Sequence, residues 1–171
     1  LNKKSFLFLI VFLIAAGCSS GSRFSKEILL SSTRISSINN SISSLIPNYW
    51  KNYEDNLNQT AILWFVNNSN NASIIITELN SNVTDLSTLA EITKSSKKQN
   101  KEFIKTSSTQ SFSSDDKNGL YFLMEGKTIQ YVFLFKYKNK FYEASALSLQ
   151  NSDHLKEELF YISKEVIGSI K

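Results

Sequence analysis

Cys18 is the one thiol in a chain of 171 residues, and the residues ahead of it decide what it is for. Lys3 and Lys4 precede an apolar run from Phe6 to Ala16, and Ala15-Ala16-Gly17 leads straight into the cysteine. A short cationic start, an apolar stretch of this length and a small-residue end are the three parts of a secretory signal. The run is too short to span a bilayer, which takes about 20 apolar residues. A second set of residues has the types to bind a cation. Ser114, Asp116, Asn118, Gly119 and Glu125 fall in the register of an EF-hand loop, with oxygen ligands and the turn glycine in place. Serine replaces the usual first aspartate, however, and Leu120 to Met124 is an apolar run that prefers a strand. Asp116, Asn118 and Glu125 are therefore the calcium candidates, and a polar loop turning at Asn118-Gly119 is the plainer reading. Glu54 with Asp55 and Asp115 with Asp116 are adjacent acids in polar segments, a pattern of solvation more than of acid and base. His154 is the only histidine. It stands where the last helix should begin, an exposed position, and a Ser/His/Asp or Cys/His device would need it as base. Zinc needs three or four nitrogen or sulfur ligands, which this chain does not offer. The expectation is a protein that is not an enzyme, with no metal and no cofactor.

The segment ending at Cys18 resembles the lipobox of bacterial lipoproteins, although Ala15 stands where a larger aliphatic is usual. The resemblance implies that the thiol takes a diacylglycerol, that residues 1–17 are cut away and that the new amino group is acylated. Several acyl chains anchor stably, because each buried methylene contributes about 0.8 kcal/mol. Residues 18–40 then read as the lipidated cysteine and a Ser-rich tether, and 41–171 as a single domain. Ser19 is not the aspartate that commonly holds such products at the inner membrane. The expected address is the bacterial cell envelope, as a membrane-anchored lipoprotein; the outer membrane, its periplasmic face or the cell surface is permitted, and the choice between inner and outer membrane stays open.

The formal net charge of +4 falls by two when Lys3 and Lys4 leave with the signal. Lysines 94, 97, 98, 101 and 105 are interrupted by Glu91 and Glu102, as on a solvated helix face and not as a nucleic-acid stripe. Partners are therefore expected to be the membrane, through the anchor, and another envelope protein. Aromatic residues make up 12% of the chain and can build a sizeable core without disulfides. Trp64 and Phe65, flanked by Leu63 and Val66, read as core. Trp50 and Tyr53 stand among Lys51, Asn52 and Glu54, so Pro47, Tyr49, Trp50 and Tyr53 are predicted to form a partly exposed binding edge.

Stepping along the chain, residues 19–40 suggest a tether running into a short helix, and Ser41 to Trp50 an extended segment ended by Pro47. Thr60–Val66 and Ser73–Leu79 are apolar runs joined by Asn67-Asn68-Ser69-Asn70-Asn71, which predicts an antiparallel hairpin. Leu86, Leu89 and Ile92, then Phe103 and Ile104, recur at helical spacing, with Thr88 and Glu91 as a capping box. Residues 107–118 read as a polar loop. Strands are expected at 120–124, 128–137 and 140–149. In the middle one, Ile129, Tyr131, Phe133 and Phe135 face one way while Val132 and Leu134 fill the other face. Ala144 and Ala146 leave room for a close helix, and Leu155, Leu159, Ile162 and Val166 provide its stripe after a Ser152 or Asp153 cap.

The order of Leu45-Ile46-Pro47-Asn48-Tyr49-Trp50, paired strands, a helix, Gly119-Leu120-Tyr121, an aromatic hairpin ending Lys140-Phe141-Tyr142-Glu143 and a closing Val166-Ile167-Gly168-Ser169-Ile170 resembles the PsbP-like and Mog-like family over residues 42–171. That resemblance implies an α/β sandwich of the α+β kind: a mostly antiparallel sheet flanked by helices on both faces, in a family of binding and assembly proteins. The leading expectation is a lipid-anchored, non-enzymatic envelope accessory protein. The alternative is a carrier or sensor holding a small apolar ligand or lipid between sheet and helix.

Overall fold

The structure, a computed structural model, describes residues 29–54, 60–80, 82–99 and 102–171. Residues 1–17 and Cys18 lie outside the described residues, as does Asp55. In chain order the elements are β1 (Leu30–Ser36), β2 (Ser43–Pro47), β3 (Lys51–Asn52), β4 (Ala61–Asn67), β5 (Ala72–Leu79), α1 (Leu86–Lys97), β6 (Phe103–Thr106), β7 (Gln110–Ser114), β8 (Lys117–Gly126), β9 (Ile129–Tyr137), β10 (Lys140–Ser148) and α2 (Asp153–Gly168). The main sheet runs β3-β4-β5-β10-β9-β8-β6, with β7 also on β8, and its pairs are antiparallel. β1 and β2 form a separate hairpin.

Strand β9 explains the layering. Ile129, Tyr131, Phe133 and Phe135 enter one apolar cluster with Leu159, Ile162 and Val166 of α2, while Val132 and Leu134 enter a second with Leu89 and Ala90 of α1. Each large side chain so buried contributes roughly 1.5–3 kcal/mol, which is why both faces attract a cover. Ala144 and Ala146 are fully buried beneath α2, as their small size predicts. The β9–β10 turn places Lys138 and Asn139 at φ 46° and 64°, the left-handed pair that suits the right-handed twist of a two-residue hairpin. Ser152 caps α2 through Leu155 N–H (3.4 Å), and Asp85 caps α1 through Thr88 N–H (2.9 Å). The cap of α1 is thus three residues ahead of the predicted Thr88.

The end of α2 is fastened by residues from elsewhere. Backbone bonds of 2.9 Å run both ways between Ser43 and Lys171, and the Ser44 and Ser169 hydroxyls lie 2.8 Å apart. Arg34 donates to Ser169 O (2.8 Å) and buried Lys117 to Gly168 O (3.4 Å), so two distant cations meet the carbonyl end of the helix dipole. Gly168 lets the chain pass close here, since an added Cβ would come within 2.5 Å of Ser114 Oγ and that hydroxyl would have to turn aside.

Four expectations change. Residues 30–36, read as tether and short helix, are strand β1, paired to β2 and joined to the fold, so the folded unit begins before residue 41. Phe103 and Ile104 belong to β6, not to a helix, and residues 110–114 of the expected polar loop are β7, held by pairing to β8 with Phe112 in the core. Trp50 is not on an exposed edge: it is 7% exposed and packed beside Leu155, Leu159 and Ile162. The cause is the backbone, for Trp50 N–H bonds Pro47 O (3.1 Å) while Tyr49 adopts φ 68° at the turn apex, folding the indole back inside. Pro47 is buried too.

Two outcomes are expected. Trp50→Ala lowers unfolding stability by about 3–5 kcal/mol in urea titration, as for other emptied aromatic sites, whereas Tyr49→Ala changes it by less than about 0.5 kcal/mol. Burial among aromatic rings pushes the Tyr131 hydroxyl up to about 12 from 10.0. The unfolded chain therefore releases this proton first, and the urea midpoint falls as pH rises from about 10 towards 12. Tyr131→Phe flattens that alkaline limb.

Candidate functional site

Edge strand β3 has only two residues, opposite Val66 and Phe65, so β4 outruns its partner. Past that point Tyr53 N–H bonds Trp64 O (2.8 Å) and Ile38 N–H bonds Ile62 O (3.1 Å). The β4–β5 register shifts between Ala61 and Leu63, a bulge that turns both Ile62 and Leu63 into the core. The diverging segments leave a cleft of about 260 Å³, lined by Ser36, Ser37, Ile38, Asn52, Tyr53 and Trp64 among others. Tyr53 is half exposed and stands edge to face on Trp64, ring centres 4.6 Å apart. The indole N–H of Trp64 is buried with no hydrogen-bond partner among the described residues, a state that costs roughly 1–3 kcal/mol. Ser37 Oγ already bonds Asn39 Oδ1 (2.8 Å) and accepts from Ile42 N–H (3.2 Å), while Asn52 Nδ2 bonds Glu54 Oε1 (3.2 Å). The cleft therefore offers an aromatic wall and a polar rim, suited to receiving an apolar or aromatic side chain.

The predicted edge is divided by the fold. Pro47 and Trp50 are in the interior, Tyr49 is 97% exposed at its turn, and Tyr53 belongs to the cleft. The calcium candidates are separated as well. Asp116 sits on the β7–β8 turn and pairs with Lys117 Nζ at 2.6 Å, which holds its carboxyl below the usual range. Asn118 is opposite Ser113 in the ladder. Glu125 is seven residues further along β8, about 23 Å of extended strand away, and is held by Lys156 (2.7 Å) and Lys105 (3.6 Å), which lower its pKa. An ion-binding loop cannot close across a strand, so this set makes no EF-hand. Among the described residues no three His, Cys, Asp or Glu side chains cluster for a metal. His154 stands exposed at the start of α2, its Nδ1 3.7 Å from Glu158.

Sequence reasoning missed a polar line on the α1 side of the sheet: Gln130 to Ser145 (2.6 Å), Ser145 to Glu143 (3.0 Å) and Glu143 to Lys97 (2.8 Å). Its only signal was polar residues alternating with alanines along β10, and it ties the end of α1 to the sheet. Between sheet and α2, the gap beside Trp50, Leu159 and Ile162 holds about 10 Å³, room for roughly one water. A lipid of the kind the carrier reading requires does not fit there.

No family profile and no curated protein matches this chain by sequence. Solved structures do match by shape. The Ran-binding protein Mog1p of Saccharomyces cerevisiae aligns with a TM-score of 0.60 and 11% identity over 83% of this chain and 95% of its own. A single-residue variant of Mog1 gives 0.59, 11%, 81% and 94%. The cyanobacterial PsbP protein CyanoP from Synechocystis gives 0.54 with 14% identity, over 84% of this chain and 92% of its own. At such identity the likeness carries the architecture alone: a mostly antiparallel sheet with two helices, the α+β fold of Mog1 and the PsbP-like proteins.

Proposed function

We propose that this chain is a lipid-anchored, non-enzymatic accessory protein of the bacterial envelope, held by acyl chains on Cys18 and binding another envelope protein at the cleft beside Tyr53 and Trp64. The observation that carries the binding reading is the cleft itself: a half-exposed Tyr53 against an indole whose N–H lacks a partner among the described residues, just past the two-residue strand β3. Aromatic anchors in partly formed pockets dominate protein interfaces. A neighbour in fold is described as Ran-binding, which makes protein recognition on this scaffold a reasonable expectation. The anchor rests on the order of Lys3-Lys4, the apolar run and Ala15-Ala16-Gly17-Cys18.

Two measurements check the two halves. Metabolic labelling with a palmitate analogue should mark the wild-type protein and leave Cys18→Ala unmarked, and equal labelling would remove the anchor. A photo-crosslinking amino acid at position 53 in living cells should give a discrete conjugate that weakens at least fivefold in Trp64→Ala. A crosslink pattern identical to that from position 138, on the β9–β10 turn, would exclude the cleft as the binding site.

A further inference from the structure

Tyr49 is almost wholly in solvent, so its ring supports nothing in the fold, yet its backbone occupies the left-handed region at φ 68°. For a bulky residue that conformation is uncommon, and here it makes the turn that folds Trp50 inside and leaves the Tyr49 ring outside. Its neighbour fixes where it points. Asn48 N–H bonds Leu29 O (2.9 Å) and Asn48 Nδ2 bonds Leu30 O (3.2 Å), so the Tyr49 turn is clamped to the first of the described residues. Leu149, 59% exposed, stands at the same pole. Its N–H bonds Asn71 O (3.1 Å), and Ser148 lines one gap together with Trp50 and Asn70.

From these placements we propose that this pole faces the bilayer, with Tyr49 and Leu149 dipping among the lipid headgroups. The proposal rests on the acylated Cys18 put forward above. Ten residues, 19–28, lie between Cys18 and Leu29, and a Ser-rich coil of that length would span roughly 17 Å. The pole is thus kept within one domain radius of the membrane, where even a weak contact is occupied because binding has become intramolecular. Tyrosine suits the headgroup region, with an apolar ring and a polar tip. Charge does not drive the contact: exposed Lys51 of β3 and Lys127 between β8 and β9 are matched by exposed Asp153 and Glu157 in the first turns of α2. It should therefore form on zwitterionic lipid and depend little on salt. The partner cleft lies at the other ends of the same strands, beside Ser36 of β1 and Ala61 of β4, and would be presented away from the membrane.

The test uses the full protein extracted from bacterial membranes and reconstituted into phosphatidylcholine and phosphatidylethanolamine vesicles carrying nitroxide-labelled acyl chains. An environment-sensitive fluorophore is attached through Ser69→Cys, on the β4–β5 turn of this pole, or through Lys138→Cys. The two turns flank β10, about 26 Å of strand apart. The proposal predicts at least twofold stronger quenching at 69 than at 138, and loss of that difference when Tyr49→Ala and Leu149→Ser are added. Flotation with vesicles that depends on Cys18, but with equal quenching at the two sites or with a difference that survives the double change, overturns the orientation alone. Flotation unaffected by Cys18→Ala overturns the anchor and this inference with it.

Discussion

A strand that is apolar on both faces cannot lie at a surface, and β9 is such a strand. Tyr131, Phe133 and Phe135 on one side and Val132 and Leu134 on the other are all buried. Each face needs its own layer, which makes a sandwich of the chain and assigns α2 and α1 to opposite sides. The depth of the α2 layer is then set by Ala144 and Ala146, whose small side chains let Leu159, Ile162 and Val166 approach the sheet. Phe160 closes this side against Tyr121 and Tyr131, with ring centres at 5.0 and 5.5 Å.

Docking α2 creates a secondary demand, because a buried helix end leaves carbonyls without partners. The chain answers from three directions: β1 sends Arg34, β2 sends Ser43 and Ser44, and β8 sends Lys117, whose ammonium also lies 4.9 Å from the Tyr137 ring centre. The β1–β2 hairpin is thereby bound to the α2 side and drawn past the end of β4 instead of extending the main sheet. That displacement, with the bulge at Ile62, opens the cleft beside Tyr53 and Trp64. The candidate site is a by-product of how the closing helix is secured.

The parts of this architecture that show plainly in the sequence are those decided by short-range pattern. The double-faced β9, the Lys138-Asn139 turn, the Ser152 cap and the alanines of β10 all state their geometry within a few residues. Strands β1 and β7 do not, since LSSTRIS and QSFSS have little apolar alternation and become strands only by pairing with β2 and β8. Trp50 was misleading because its polar neighbours are on the surface while one left-handed residue, Tyr49, reverses the chain between them. The cations at the end of α2 come from residues 34 and 117, far from the helix in sequence, and no local reading can find them. Tyr53 alone of the four predicted edge residues is part of the cleft, and its partner Trp64 reads as core in the sequence because Leu63 and Val66 flank Trp64 and Phe65, although Trp64 faces the cleft.

The central claim is that the fold presents the Tyr53 and Trp64 cleft to a protein partner in the envelope. Hydroxyl-radical footprinting of the protein in intact cells, compared with the same protein purified in detergent, tests it most directly. The account predicts that oxidation of Tyr53 falls severalfold in cells while that of Tyr137, partly exposed at the far end of β9, is unchanged. Equal oxidation of Tyr53 in both settings would contradict it.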